Sequence, residues 1–149
     1  MKFRFPLLKV MQHRKTLEDV AQREFQVAVA KLNFERTTLE TMIDSKRQAR
    51  QGAYQTQVQG GSPAHILTQV HEFLLGQDLR IVDQNKRIEE QQRIVEEFRE
   101  ILRQRATDRK IMEGLRDRKE LEFKVEVKKR EQKNQDDLSI MRYKTKDDE

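Results

Sequence analysis

GAYQTQVQGGSP, residues 52–63, is the stretch on which the fold turns. It holds no charged residue, three of the five glycines and one of the two prolines, in a chain where 38% of residues are charged. The Ser62 hydroxyl can cap a helix, and Pro63 suits a first helical position because its missing N–H has no intrahelical acceptor to satisfy. The spacing predicts a first helix over about 6–55, a turn over 56–62 and a second helix from 63 to about 140, with a flexible tail over 141–149.

Downstream of the break, Leu67, Leu74, Ile81, Ile88, Val95 and Leu102 recur every seven residues, with Val70, Gln77, Gln84, Gln91, Phe98 and Arg105 in the companion slot. An aliphatic repeat of that length is a coiled-coil seam. The three glutamines dilute the second seam position and disfavour a tight homodimer along it. Upstream, Val10, Leu17, Ala21, Phe25, Ala28, Leu32, Leu39, Met42, Ala49 and Ala53 form a weaker stripe with one stutter at Leu17, Ala21 and Phe25. Its alanines allow close approach of two backbones. The fold class is therefore all-α, a single-domain antiparallel two-helix coiled-coil hairpin.

Folding the chain back about residue 59 sets residue 7 opposite roughly residue 111, at a rise of about 1.5 Å per helical residue. The second helix then overhangs its partner. After Met112 and Leu115 the chain becomes RDRKELEFKVEVKKREQKNQDD, residues 116–137, in which the strongly apolar residues are Leu121 and Val125 on one face and Phe123 and Val127 on another, and a single partner strand cannot bury both. Phe3 and Phe5 fall at the same end, which should concentrate uncovered apolar groups and positive charge.

Composition excludes much else. Thirty-five per cent of residues are apolar, glycine and proline together number seven, and tryptophan is absent, so long helices are favoured over a layered globule. Without cysteine there are no disulfides, thiolate metal sites or cysteine nucleophiles, which fits a reducing, cytoplasmic setting. Lys9, His13, Arg14 and Lys15 interrupt the opening residues before a signal-peptide core or spanning helix could form.

The net charge of +5 is uneven. Residues 1–51 carry eleven bases against six acids, 52–102 five against eight, and 103–133 twelve against seven. Acids interleave with bases throughout, so ion pairs such as Glu120 with Lys124 and Glu126 with Arg130 on a solvated helix face account for most of it. Nucleic-acid binding is disfavoured by the seven acids and by Phe123 being the main stacking aromatic of the basic stretch. A membrane-surface helix would need its apolar residues on one face.

No enzyme is expected. His13, His65 and His71 lack the three- or four-residue spacing of helical metal pairs, Glu89, Glu90, Glu96 and Glu97 point to different faces, and Gly60 and Gly61 open no phosphate loop. No catalytic residue, metal, cofactor or small-molecule substrate is assigned.

The opening FRFPLLKVMQHRKTLEDVAQREF and the tail KIMEGLRDRKELEFKVEVKKREQKNQDDLSIMRY resemble the flagellar export protein FliJ family, through Phe3, Phe5, Leu7, Arg14 and Glu18, then Glu113, Leu115, Arg118, Glu131, Lys133 and Asp136 with Asp137. The family usually has Asp-Glu where this chain has Asp-Asp. The resemblance covers nearly the whole chain. It implies a cytoplasmic component of the flagellar type III export apparatus, peripheral to the inner membrane at the flagellar base. The hairpin would be similar to the central stalk of rotary ATPases, stimulating a hexameric export ATPase and contacting a membrane export-gate protein and export chaperones.

By the same resemblance, Phe3, Phe5, Arg14, Arg116, Arg118, Lys119, Phe123 and Lys124 would bind the ATPase ring, and Phe73, Gln77, Ile81 and Gln84 the gate. The alternatives are the equivalent stalk of a virulence type III system, a basic nucleic-acid-binding coiled coil and a structural homo-oligomer.

Overall fold

The computed structural model describes residues 1–61 and 63–147. It consists of α1, Leu8–Val58, and α2, Ala64–Asp147, and the two pack against each other as an all-α hairpin. No strand occurs among the described residues.

The turn is made by glycine. Gly60 and Gly61 have φ of 137° and 84°, a region that side-chain-bearing residues rarely enter. The Gly61 amide reaches back to the Thr56 carbonyl at 3.2 Å, the long bond of a Schellman C-cap with Gly60 just past the helix end. On the far side the Pro63 carbonyl accepts from the amides of Ile66 and Leu67, so α2 begins hydrogen-bonding from the proline. The capping role expected of Ser62 lies outside the described residues.

The packing divides into two compact units, Val20–Arg103, and Met1–Asp19 with Gln104–Glu149. In the first, here the turn unit, Ala28, Leu32, Ile88 and Val95 form the core, with Phe25, Val29, Leu39, Ile94 and Phe98 packed around it. Burial along the seam follows the sequence repeat: Ile88 and Val95 are buried, whereas Leu67, Leu74 and Ile81 are half-buried. Among the described residues no large side chain is fully enclosed, since each helix can cover only one face of the other.

The glutamines that appear to weaken the seam instead set its register. Gln77, Gln84 and Gln91 are 5%, 3% and 5% exposed. Their Nε2 atoms donate across the interface to the carbonyls of Met42, Glu35 and Ala28 at 2.9, 2.9 and 3.0 Å. Both sets step by seven residues, in opposite directions, as antiparallel strands require. The small side chain of Ala28, 4% exposed, leaves the approach to its own carbonyl open. Each such bond contributes on the order of 1 kcal/mol, and sliding the helices would strand buried amides.

In the second unit, here the terminal unit, the seam ends differently from expectation. Residues before Leu8 are not helical, and they run back along α2 far enough for the Phe3 ring to meet Phe123 at 5.6 Å and for Arg130 Nη1 to reach Met1 Sδ at 3.7 Å. A nonhelical residue can advance about 3.3 Å against about 1.5 Å in a helix, so seven residues can accompany roughly fifteen of α2. The uncovered stretch thus starts near residue 131 rather than residue 112. α2 also continues helical through residues 141–147, where a flexible tail is expected, and no glycine or proline after Gly114 stops it.

Candidate functional site

The terminal unit is cross-linked by charge. Arg14 Nη1 donates to the Asp108 carbonyl at 3.0 Å. Arg109 pairs across the interface with Glu18 and along its own helix with Glu113 at 2.8 Å. The hydrogen bonds that Arg109 donates, first to Glu18 and then to Glu113, hold its guanidinium above the usual arginine range. Met112 is the buried apolar residue beside this bridge.

The two apolar pairs of the α2 end separate as their faces require. Phe123 and Val127 are half-buried, Phe123 beneath Phe3, whereas Leu121 and Val125 remain 64% and 47% exposed. Phe3 and Phe5 are half-buried rather than open, because the nonhelical N-terminus lies on α2. From Lys128 to Lys144 every residue is exposed, including Leu138, Ile140, Met141 and Tyr143.

Much of the positive charge expected to engage a ring is already paired. Arg116 binds Asp117, Lys119 binds Glu122 and Lys124 binds Glu120, and the expected Glu126–Arg130 pair is also present. Hydrogen bonding to Asp117 raises the Arg116 guanidinium above its ordinary value. Among the described residues, Arg118, Lys128, Lys129 and Lys133 have no ion pair within the chain. With Lys2, Arg4, Lys9 and Lys110 of the same unit, which likewise are exposed and form no ion pair, they are among the cations available to a partner, a distinction that a count of bases does not make.

The residues expected at the gate do not form one surface. Gln77 and Gln84 are consumed by the seam, their amides bonded to α1 carbonyls, and they cannot contact an outside partner without opening the hairpin. Ile81 is half-buried in the same seam. Phe73 alone is exposed, at 40%, with the Arg80 guanidinium 5.6 Å from its ring. The next exposed apolar residues along α2 are Leu75, Leu79 and Val82.

Among the described residues no group of three or more histidines or carboxylates is placed to hold a metal. No helix among the described residues is long and apolar enough to cross a membrane. The sequence profile of the flagellar FliJ protein matches residues 2–148. No curated protein and no solved structure matches the chain.

Proposed function

The chain belongs to the flagellar FliJ protein family, non-enzymatic components of flagellar protein export, and from that premise we propose that it acts as a stalk-like hairpin whose terminal unit docks in the export ATPase ring and stimulates hydrolysis. The observation that carries this reading is the length mismatch. α2 has 84 residues against 51 in α1, and its last turns present exposed Leu138, Ile140, Met141 and Tyr143 together with Lys128, Lys129 and Lys133. A long helix carrying apolar and basic groups that its own chain leaves uncovered is suited to a concave partner.

In this reading Arg14, Phe3, Phe5 and Phe123 hold the docking end in shape. Arg118, with Arg116, Lys119 and Lys124 once their weak surface pairs exchange, meets acidic groups of the ring. Contact with the export gate runs through Phe73, and chaperones are handled by the same molecule at the cytoplasmic face of the inner membrane.

The test is addition of the purified chain to its cognate export ATPase, with hydrolysis and co-elution as readouts. Stimulation and co-elution are expected, and the triple change Arg118→Glu, Lys128→Glu, Lys129→Glu should reduce both while leaving helix content unchanged. A folded chain that neither co-elutes nor stimulates would sink the proposal.

A further inference from the structure

The turn unit has two grooves between α1 and α2, and they differ in character. One is lined by Asn33, Arg36, Gln92, Glu96 and Arg99 above Leu32 and Val95, a polar groove suited to water. The other is a cleft of about 410 Å³ lined by Val27, Ala28, Ile94 and Phe98 and by Arg23, Glu24 and Lys31, with the buried Gln91 at its base. The apolar character continues along both helices. Val20, Val27 and Phe34 follow at seven-residue steps and are 39%, 69% and 69% exposed, and Ile101, one heptad beyond Ile94, is 40% exposed.

This is a second seam, separate from the one that closes the hairpin. Phenylalanine and valine at two-thirds exposure in strict heptad register are costly in water, because burying such a side chain is worth about 1.5–3 kcal/mol.

The pattern is self-complementary. On α1 it reads Val20, Glu24, Val27, Lys31, Phe34: apolar, acid, apolar, base, apolar. If a second copy is laid against it antiparallel, with Val27 at the axis, Val20 meets Phe34 and each Glu24 falls within one residue of a Lys31, which offsets the approach of Arg23 to that same Lys31. A parallel copy would set Glu24 against Glu24 and Lys31 against Lys31. Opposite charges flanking an apolar position fix partner and orientation in this way in coiled coils.

We propose that the groove lined by Val27, Ile94 and Phe98 is an isologous interface, in which two copies of this chain associate antiparallel through a two-fold axis near Val27. The patch from Val20 to Phe34 runs about 21 Å, so two helices present a footprint of roughly 400 Å² per copy, about 800 Å² in total, below the range of stable specific interfaces and in that of weak, transient ones. The dimer is therefore weak and dissociates on dilution. None of these residues takes part in the proposed ring docking, so the two proposals stand or fall separately.

Sedimentation equilibrium of the full chain from about 1 µM to about 500 µM tests the proposal, a range that spans a dimer with a dissociation constant of tens of micromolar. The expected result is reversible dimerisation. Glu24→Lys and Lys31→Glu should each weaken it about tenfold, and the double swap should restore it to within about threefold. Val27→Cys, in a chain without cysteine, should give a disulfide-linked dimer on mild oxidation. A monomer at every concentration overturns the proposal, and so does a dimer whose affinity the double swap fails to restore. Circular dichroism on each variant separates loss of the interface from loss of the hairpin.

Discussion

The two units hold their helices together by different chemistry. In the turn unit the buried polar bonds across the seam run from neutral glutamine amides to backbone carbonyls, at Gln77, Gln84 and Gln91; Gln84 donates to the Glu35 carboxylate as well, and one ion pair, Lys46 with Asp78, crosses near the turn. In the terminal unit they involve charge: Arg14 on the Asp108 carbonyl, and Arg109 between Glu18 and Glu113. A neutral ladder around an aliphatic core resists salt and admits one register. Charged cross-links respond to salt more than neutral ones, although the Glu18–Arg109 pair, with both side chains less than one-fifth exposed, is screened only in part. The comparison teaches that a register-defining amide ladder holds the turn unit, whereas charged cross-links hold the end at which docking is proposed.

The sharpest way to break the comparison is to empty the turn unit's core. Ile88→Ala should cost about 2–4 kcal/mol in urea unfolding, with the loss expressed in the turn unit, because its neighbours cannot collapse onto the space. A second variant sharpens it. Replacing Gln77, Gln84 and Gln91 together by leucine should raise the unfolding midpoint, since the seam gains apolar surface, yet broaden the distances measured between spin labels on α1 and α2 within the turn unit as alternative registers open. A narrow distribution in that variant would show that the glutamines do not set register.

In the terminal unit, Phe3→Ala removes one ring of the Phe3–Phe123 pair and should cost about 1 kcal/mol. Limited proteolysis should then cut first within the opening residues. The smallest effect is expected from alkali. Because the Arg109 pKa is raised in the folded state, its contribution is complete below the ordinary arginine pKa and lost only as pH climbs through the raised value. Label distances across the Glu18–Arg109 bridge should therefore hold from neutral to mildly alkaline pH.

The hairpin is legible in the sequence because its two determinants are local: a charge-free Gly/Pro stretch and a seven-residue aliphatic repeat. The glutamine ladder is not legible in the same way. An amide side chain at a seam position reads as dilution, and its partners are backbone carbonyls, which no residue type marks. The reach of the N-terminus was hidden for a related reason, since helical periodicity says nothing about the seven residues before Leu8 and hence nothing about what covers Phe123. The gate residues taken from family resemblance mix one exposed aromatic, Phe73, with seam residues whose burial follows from the same heptad that defines the fold. The cations at Arg118, Lys128, Lys129 and Lys133 stand out only once the ion pairs of their neighbours are known.

Hydrogen–deuterium exchange on the chain alone and in complex with the export ATPase tests the central claim most directly. Added protection should be concentrated in residues 116–144, strongest over 131–144, with residues 20–103 exchanging as they do in the free chain. Protection gained within 20–103 while 131–144 exchange unchanged would contradict the assignment of the terminal unit as the docking end.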